Sequence, residues 1–233
     1  MYKALMIFIV GVSPHISCTT KIYTSQEKEL ITQLYEIGVF RCDTDTVMAC
    51  GMSSPYYIDL RLIISYPAIF KQIIHLLTEK SRSIHYFDSL CGVPYGSLAL
   101  SSAVAYELEK PLIMRRSVSK KHGTKKKIEG SFHRDDKCII IEDVLTTGSS
   151  VIETIKDLEN AQLNVYDCII VFDREQGGVQ LLEQQGYKLH VMFTISDFLN
   201  VLTEAGKISE QCAHDILAWT AYHQFTEIVS EVS

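Results

Sequence analysis

The chain has 233 residues, with 22 Lys+Arg against 28 Asp+Glu and a formal net charge of -6. Its hydrophobic fraction of 47% excludes whole-chain disorder, and a chain this long buries enough surface to fold without a disulfide or metal staple. The acidic balance has the wrong sign for a general nucleic-acid binder.

In chain order, Met1-Tyr2-Lys3 is followed by an apolar run from Ala4 to Val12. A membrane-spanning helix needs about 20 residues, so this run is too short. It shares a lysine and an apolar core with signal peptides. Ser13-Pro14-His15, however, stands where a small-x-small cleavage site would follow. The expectation is an extra helix or strand, or an over-long start, on a cytoplasmic chain without membrane partners. Residues 1–24 are therefore set apart as an N-terminal extension, and 25–233 as one domain.

Ser25 to Ile37 predicts a helix. Ser25 is the cap, Glu27 and Glu29 stand in the first turn, Leu30, Ile31, Leu34 and Ile37 form the stripe, and Gly38 ends it. Ser53-Ser54-Pro55 reads as a turn before an extended Tyr56-Tyr57-Ile58-Asp59. Pro67 to Thr78 predicts a helix with proline in its first turn. An alternation then begins. Strands are predicted at Ser89 to Val93, Leu112 to Met114, Cys138 to Ile141, Val165 to Phe172 and Leu189 to Phe193. Helices are predicted at Ser97 to Leu108, Ser149 to Leu158 and Val179 to Gln185, with a helical tail from Ser196 to His223. Short apolar strands alternating with helices indicate an α/β fold, a parallel-cored sheet with helices on both faces.

The seven cysteines include no Cys-x-x-Cys pair. They read as small buried hydrophobes in a reducing compartment, not as a zinc site or disulfide framework.

The segment Cys138-Ile139-Ile140-Ile141-Glu142-Asp143-Val144-Leu145-Thr146-Thr147-Gly148-Ser149-Ser150 carries the chemistry. An apolar strand reaches two acids, then a loop of hydroxyls around one glycine, then a helix. Ligands of open α/β sheets sit at the carboxyl ends of strands, and such a loop with its helix N-terminus cradles an anion. There is no Gly-Lys-Ser/Thr and no Gly-x-Gly-x-x-Gly. Two carboxylates beside a phosphate cradle suit sugar hydroxyls or a divalent cation, so a phosphorylated sugar meets both requirements. The plainer alternative is that Glu142 and Asp143 end a strand and cap a helix.

This segment resembles the phosphoribosyl-diphosphate (PRPP) motif of type I phosphoribosyltransferases. Four further stretches narrow the likeness: Met52 to Arg61, Cys91-Gly92-Val93-Pro94-Tyr95, Gly123-Thr124-Lys125 with Ile128-Glu129-Gly130, and Phe172-Asp173-Arg174-Glu175-Gln176-Gly177-Gly178. Together they are similar to orotate phosphoribosyltransferases, most of all the form fused to a decarboxylase in animal UMP synthase. The likeness runs from about Glu29 to Leu217. It implies the type I fold with a small N-terminal hood. It also implies transfer of phosphoribosyl from PRPP to orotate, giving orotidine 5'-monophosphate and diphosphate.

Seven of the 22 basic residues fall between Arg115 and Lys127, with no acid among them. A solvated loop or a nucleic-acid patch is the plain reading. A loop closing over diphosphate explains the run better, because cations stabilise the charge growing on that leaving group and closure excludes water. By resemblance, Asp143, Lys120 and His122 are the catalytic candidates. Arg116, Lys120, His122, Tyr95, Gly96 and the stretch Glu142, Asp143, Val144, Leu145, Thr146, Thr147, Gly148, Ser149 and Ser150 would bind PRPP. Thr146, Arg174, Tyr57 and Ile58 would bind orotate, for which a planar arginine fork suits a flat anionic ring. Mg²⁺ is expected mainly through PRPP, with Asp143 as the chain's own candidate ligand. The resemblance also implies a homodimer in which loop 115–127 reaches the neighbouring site.

Three positions depart from the family pattern. Ala49 stands where Lys precedes Ser-Gly, Ser117 where Arg-Lys is usual, and Gly96 where many bacterial members have lysine. Lost charge-assisted contacts cost about 1.5–3 kcal/mol each unless compensated. Lys121, Lys125, Lys126 or Arg115 are the candidates to compensate. Two readings stay open: an active orotate phosphoribosyltransferase, or a weakly active or non-catalytic relative that binds PRPP or orotate.

Overall fold

The apolar runs enter one sheet. A computed structural model describes residues 23–42, 46–47, 53–117 and 127–226. In chain order come α1 (Ser25–Glu36), β1 (Phe40–Arg41), β2 (Thr46–Val47), β3 (Ser53–Ser54), β4 (Tyr57–Ile58), a 3-10 helix (Leu60–Ser65) and α2 (Pro67–Arg82). Then follow β5 (Ser89–Gly92), α3 (Leu98–Glu107), β6 (Leu112–Arg115), β7 (Ile128–Glu129), β8 (Cys138–Leu145) and α4 (Ser149–Asn160). The chain continues through β9 (Asp167–Asp173), α5 (Gly178–Gln184), β10 (Lys188–Thr194), α6 (Ile195–Glu204) and α7 (Glu210–Tyr222). The six-stranded sheet has the order β10-β9-β8-β5-β6-β7 and is parallel except at the β6/β7 edge. Two short antiparallel ribbons, β1/β4 and β2/β3, form the hood.

Both faces of the sheet are buried, which is why its strands are apolar throughout rather than alternating. Ile139, Ile141, Ile169 and Val171 face one core with α1, α2, α3 and α6. Cys138, Ile140, Cys168 and Ile170 face the other, under α4 and α5. Phe198 of α6 packs edge-on against Phe172 (4.9 Å) and Phe193 (5.9 Å), each pair worth about 1 kcal/mol beyond the area it buries. Cys91, Cys138 and Cys168 are buried free thiols, Cys212 is half-buried and free, and Cys42 is half-buried. Burial pushes the Cys91 and Cys168 thiols up to about 12, so they are inert hydrophobes. Cys18 and Cys50 lie outside the described residues. No helix among the described residues is long and apolar enough to cross a membrane.

Several features differ from the sequence expectation. The cap of α1 is Thr24, not Ser25: its hydroxyl accepts the Glu27 N–H and the Glu27 carboxylate accepts the Thr24 N–H, a reciprocal box. Tyr23, 8% exposed, stacks on Phe193 and hydrogen-bonds Asp197, so the packed domain begins two residues earlier than position 25. The tail is two helices, broken between Glu204 and Glu210. Finally, β8 runs four residues past Ile141, because Val144 and Leu145 still pair with Phe172 and Asp173 of β9.

The strand order places the site. From β5 the chain goes to one side for β6, then returns to the other side for β8. Connections therefore diverge at the β5/β8 pair, where Gly92 is in register with Ile141. In open α/β sheets the crevice at such a switch point receives ligands.

Candidate active site

The acid pair lies inside β8, with Glu142 opposite Ile170 of β9. Side chains two apart in a strand share a face. Asp143 thus follows Ile141 onto the α3 side, and meets the loop that leaves β5. There the Asp143 N–H donates to Ser97 Oγ (2.9 Å), and that hydroxyl lies 3.4 Å from both Glu142 Oε1 and Asp143 Oδ1. Glu142 is 6% exposed. Burial first, and then the charge of Asp143, holds its carboxyl well above the usual carboxylate range. Gly96 backs directly onto the Asp143 carboxylate. Tyr95, in contrast, is 73% exposed at the crevice rim.

The hydroxyl loop enters α4 through Gly148, whose φ of +83° is a left-handed conformation that glycine adopts without strain. Gly148 has no side chain to cap the first turn, so beyond the Ser149 N–H, which Thr147 takes, the amides and dipole of α4 offer an anion cradle. Thr147 Oγ1 and Ser149 Oγ are 2.7 Å apart, and Thr147 Oγ1 accepts the Ser149 N–H (3.3 Å). Thr146 and Ser150 are half-buried beside them, as is Val144. Leu145 is 1% exposed: its side chain fills the core and its carbonyl accepts the Arg174 N–H (3.0 Å). Leu145 therefore ties the phosphate loop to the β9 loop through the backbone.

Arg174 is brought to this crevice but lies beneath the hood, 5% exposed. Its Nε donates to Gln176 Oε1 (2.8 Å) and its Nη2 to Ser54 Oγ (3.0 Å), and the guanidinium lies 4.2 Å over the Tyr56 ring. Such stacking is the use for which arginine outperforms lysine. The C-terminal segment straps this loop down: Gln176 Nε2 donates to the His223 carbonyl, and the Phe225 N–H to the Gln176 carbonyl. Tyr57 is half-exposed and its Oη accepts from Arg61 (2.9 Å), whereas Ile58 is 6% exposed with its side chain in the core. Arg61 was not among the sequence candidates. Asp59 grips it through Nε (2.7 Å) and Nη2 (3.0 Å). Asp59 above all, and more weakly Tyr57 and Asp143, push its pKa up. Asp59-x-Arg61 just after an extended run was the available signal. Ser54, Tyr56 and Gln176 lay in the stretches that carry the likeness without being singled out, and Ser97 had no local signal.

The basic run divides. Lys120 and His122, with Lys121, Lys125 and Lys126, lie outside the described residues, as do Ala49, Cys50 and Gly51. At the base of the loop the Arg116 N–H donates to the Lys127 carbonyl, and Arg116 pairs with Glu129 (2.9 Å) on the unexpected strand β7. Arg115 is not a spare cation for diphosphate. It is bound to Glu153 (3.1 Å) and Asp157 (2.7 Å) of α4, with 9% of its side chain exposed, and Lys127 also holds Asp157 (3.0 Å). Burial raises the Asp157 carboxyl, but Arg115 and Lys127 outweigh it and hold it below its ordinary value. Arg115→Ala leaves Lys127 as the remaining partner of Asp157, so a destabilisation of about 2 kcal/mol is expected. Urea unfolding checks it, and an unchanged midpoint would contradict the anchoring role.

Among the described residues no group of three or more His, Cys, Asp or Glu is placed to hold a metal ion. Among the described residues the crevice offers half-buried Asp143, with Glu142 behind it, rather than a cage. That donor set fits Mg²⁺, which keeps most of its water and binds through one or two carboxylates plus substrate phosphates.

Comparison with known proteins agrees with this geometry. Residues 63–186 match the family described as a phosphoribosyl transferase domain. Uridine 5'-monophosphate synthase of Bos taurus is 42% identical over 183 residues, which span 78% of this chain and 38% of the bovine protein. Orotate phosphoribosyltransferase of Caenorhabditis elegans is 33% identical over 197 residues, 84% of this chain and 86% of the nematode protein. The structure of Leishmania donovani UMP synthase superposes with a TM-score of 0.76 at 30% identity, over 84% of this chain and 42% of that one. The chain thus spans well under half of the two synthases and most of the nematode transferase. It belongs to the phosphoribosyl transferase domain family, in the group of the orotate phosphoribosyltransferases.

Proposed function

We propose that the chain transfers the phosphoribosyl group of PRPP to orotate, giving orotidine 5'-monophosphate and diphosphate, a step of UMP synthesis. The observation that carries this reading is the acid pair Glu142-Asp143 beside the amide cradle of α4 at the sheet's switch point. In the reaction the bond from the anomeric carbon to diphosphate breaks and a bond to the orotate ring nitrogen forms, through a transition state with oxocarbenium character. No covalent nucleophile is needed. Glu142 and Asp143 hold the ribose hydroxyls. The loop from Thr146 to Ser150 holds the 5'-phosphate, and the backbone from Val93 to Gly96 faces the diphosphate. Tyr57 and Arg61 border the base, with Arg174 beneath them. Arg116, Lys120 and His122 neutralise the departing diphosphate in this reading. Mg²⁺, when bound on PRPP with Asp143 as the chain's own ligand, offsets diphosphate charge.

The reading extends to a homodimer whose basic loop 115–127 serves the neighbouring site, and to the cytoplasm, in keeping with the buried free thiols. A second reading, a relative that binds PRPP or orotate without turning it over, is favoured by one observation. Arg115 and Lys127 are committed to Asp157, so they cannot replace the charges absent at Ala49 and Ser117. One experiment separates the two. Orotate consumption is followed by ultraviolet absorbance with PRPP and Mg²⁺, for the wild-type chain and for an Ala49→Lys, Ser117→Lys double variant. Wild-type turnover that needs both PRPP and orotate is the expected result. Turnover in the double variant alone would establish the second reading.

A further inference from the structure

Ser97 opens α3, yet its side chain makes no capping bond to that helix. A serine at such a position ordinarily turns its hydroxyl onto the amides of its own first turn, a stabilisation that this chain forgoes. The hydroxyl is instead fully buried and aimed across the switch point at β8, 46 residues away. It accepts the Asp143 N–H at 2.9 Å, and its own proton faces two carboxylate oxygens, Glu142 Oε1 and Asp143 Oδ1, each at 3.4 Å.

The Asp143 N–H also reaches Glu142 Oε1 at 3.1 Å, so the two acids and the Ser97 hydroxyl share one hydrogen-bonded network. A single hydroxyl that accepts from one backbone and donates toward both acids sets their directions before any ligand arrives. We propose that Ser97 is a positioning residue for the acid pair, holding Glu142 and Asp143 in the arrangement that receives the two ribose hydroxyls. The inference rests on the phosphoribosyl-transfer reading. It adds to the acids a third residue, one that touches no substrate and lies outside the stretch carrying the phosphate loop. The effect is preorganisation: ordering of the acids is settled in the fold rather than at binding.

The test is calorimetric. PRPP with Mg²⁺, ribose 5-phosphate and inorganic phosphate are titrated into the wild-type chain, Ser97→Ala and Ser97→Thr. Inorganic phosphate carries no ribose hydroxyls for the acids to hold, so a general loss of structure and a loss of acid positioning give different patterns. Ser97→Ala is expected to weaken PRPP and ribose 5-phosphate about tenfold and to leave inorganic phosphate unchanged. Ser97→Thr keeps the hydroxyl and recovers most of the loss. In turnover, the KM for PRPP rises in Ser97→Ala while the KM for orotate stays put. Wild-type affinity for ribose 5-phosphate in Ser97→Ala would overturn the inference, and so would an equal loss for all three ligands. A wild-type chain that binds no PRPP would bring down the phosphoribosyl-transfer reading itself, and the inference with it.

Discussion

Gly96→Ala is expected to lower kcat/KM for phosphoribosyl transfer about a hundredfold while the protein still folds. A Cβ at position 96 would stand 2.1 Å from Asp143 Oδ2, 2.5 Å from its Cγ and 2.7 Å from Oδ1. Those distances are far inside van der Waals contact, so something must move. The atoms in the way are the end of one side chain, and a carboxylate can swing aside without dragging β8 with it. Displacing it by about 1 Å is enough for a loss of this size when the group positions a reacting sugar. Steady-state kinetics beside a thermal melt check the result. A melting temperature near that of the wild type, with kcat/KM reduced as far as in Asp143→Asn, is the expected pair. A variant with wild-type kcat/KM would show that Asp143 is not the group the ribose needs. The same contact gives the departure at position 96 a steric cause. In this chain the space beside Gly96 is filled by the Asp143 carboxylate, so a lysine there would have to displace the acid.

The acid pair was legible because it interrupts a wholly apolar strand, and the cradle because four hydroxyls surround one glycine. The parallel sheet was legible for a related reason: short apolar runs between amphipathic segments have few other ways to be buried. The end of β8 was less clear. Val144 and Leu145 resume the apolar pattern after two acids, and only pairing with Phe172 and Asp173 shows that the strand continues. Strand β7 has two residues and no run of its own. It exists because Ile128 and Glu129 pair back onto Arg115 and Met114. Side-chain partners far apart in sequence were not legible at all. Arg115 looks like one more loop cation until Asp157, 42 residues on, is beside it. Arg174 looks like a free guanidinium until Ser54, 120 residues away, accepts from it. Composition identifies which residues carry charge. Only the fold decides which of those charges remain available to a ligand.

A second effect comes from the carboxyl beside Arg174. Asp173 ends β9, is 6% exposed and accepts the Glu175 N–H at 3.0 Å. Burial pushes its pKa from an ordinary 3.8 up to about 7, and the Glu175 amide only partly offsets this. In the unfolded chain the same group loses its proton near pH 4. Between these values the folded state therefore holds more protons than the unfolded state. Its contribution to stability is complete below pH 4, falls as the pH rises toward 7, and is gone above that. A shift of this size corresponds to about 4 kcal/mol across the window. Asp173→Asn removes the titration and keeps a carbonyl oxygen to accept the Glu175 amide. Urea unfolding at a series of pH values is expected to give near-equal stabilities for variant and wild type at pH 4. The variant then becomes progressively the more stable of the two, by about 4 kcal/mol at pH 8. Parallel curves across that range would mean that Asp173 is charged in the fold at neutral pH. That charge would then face the same crevice as the phosphates, and the reason this chain tolerates it would have to be sought in Arg174.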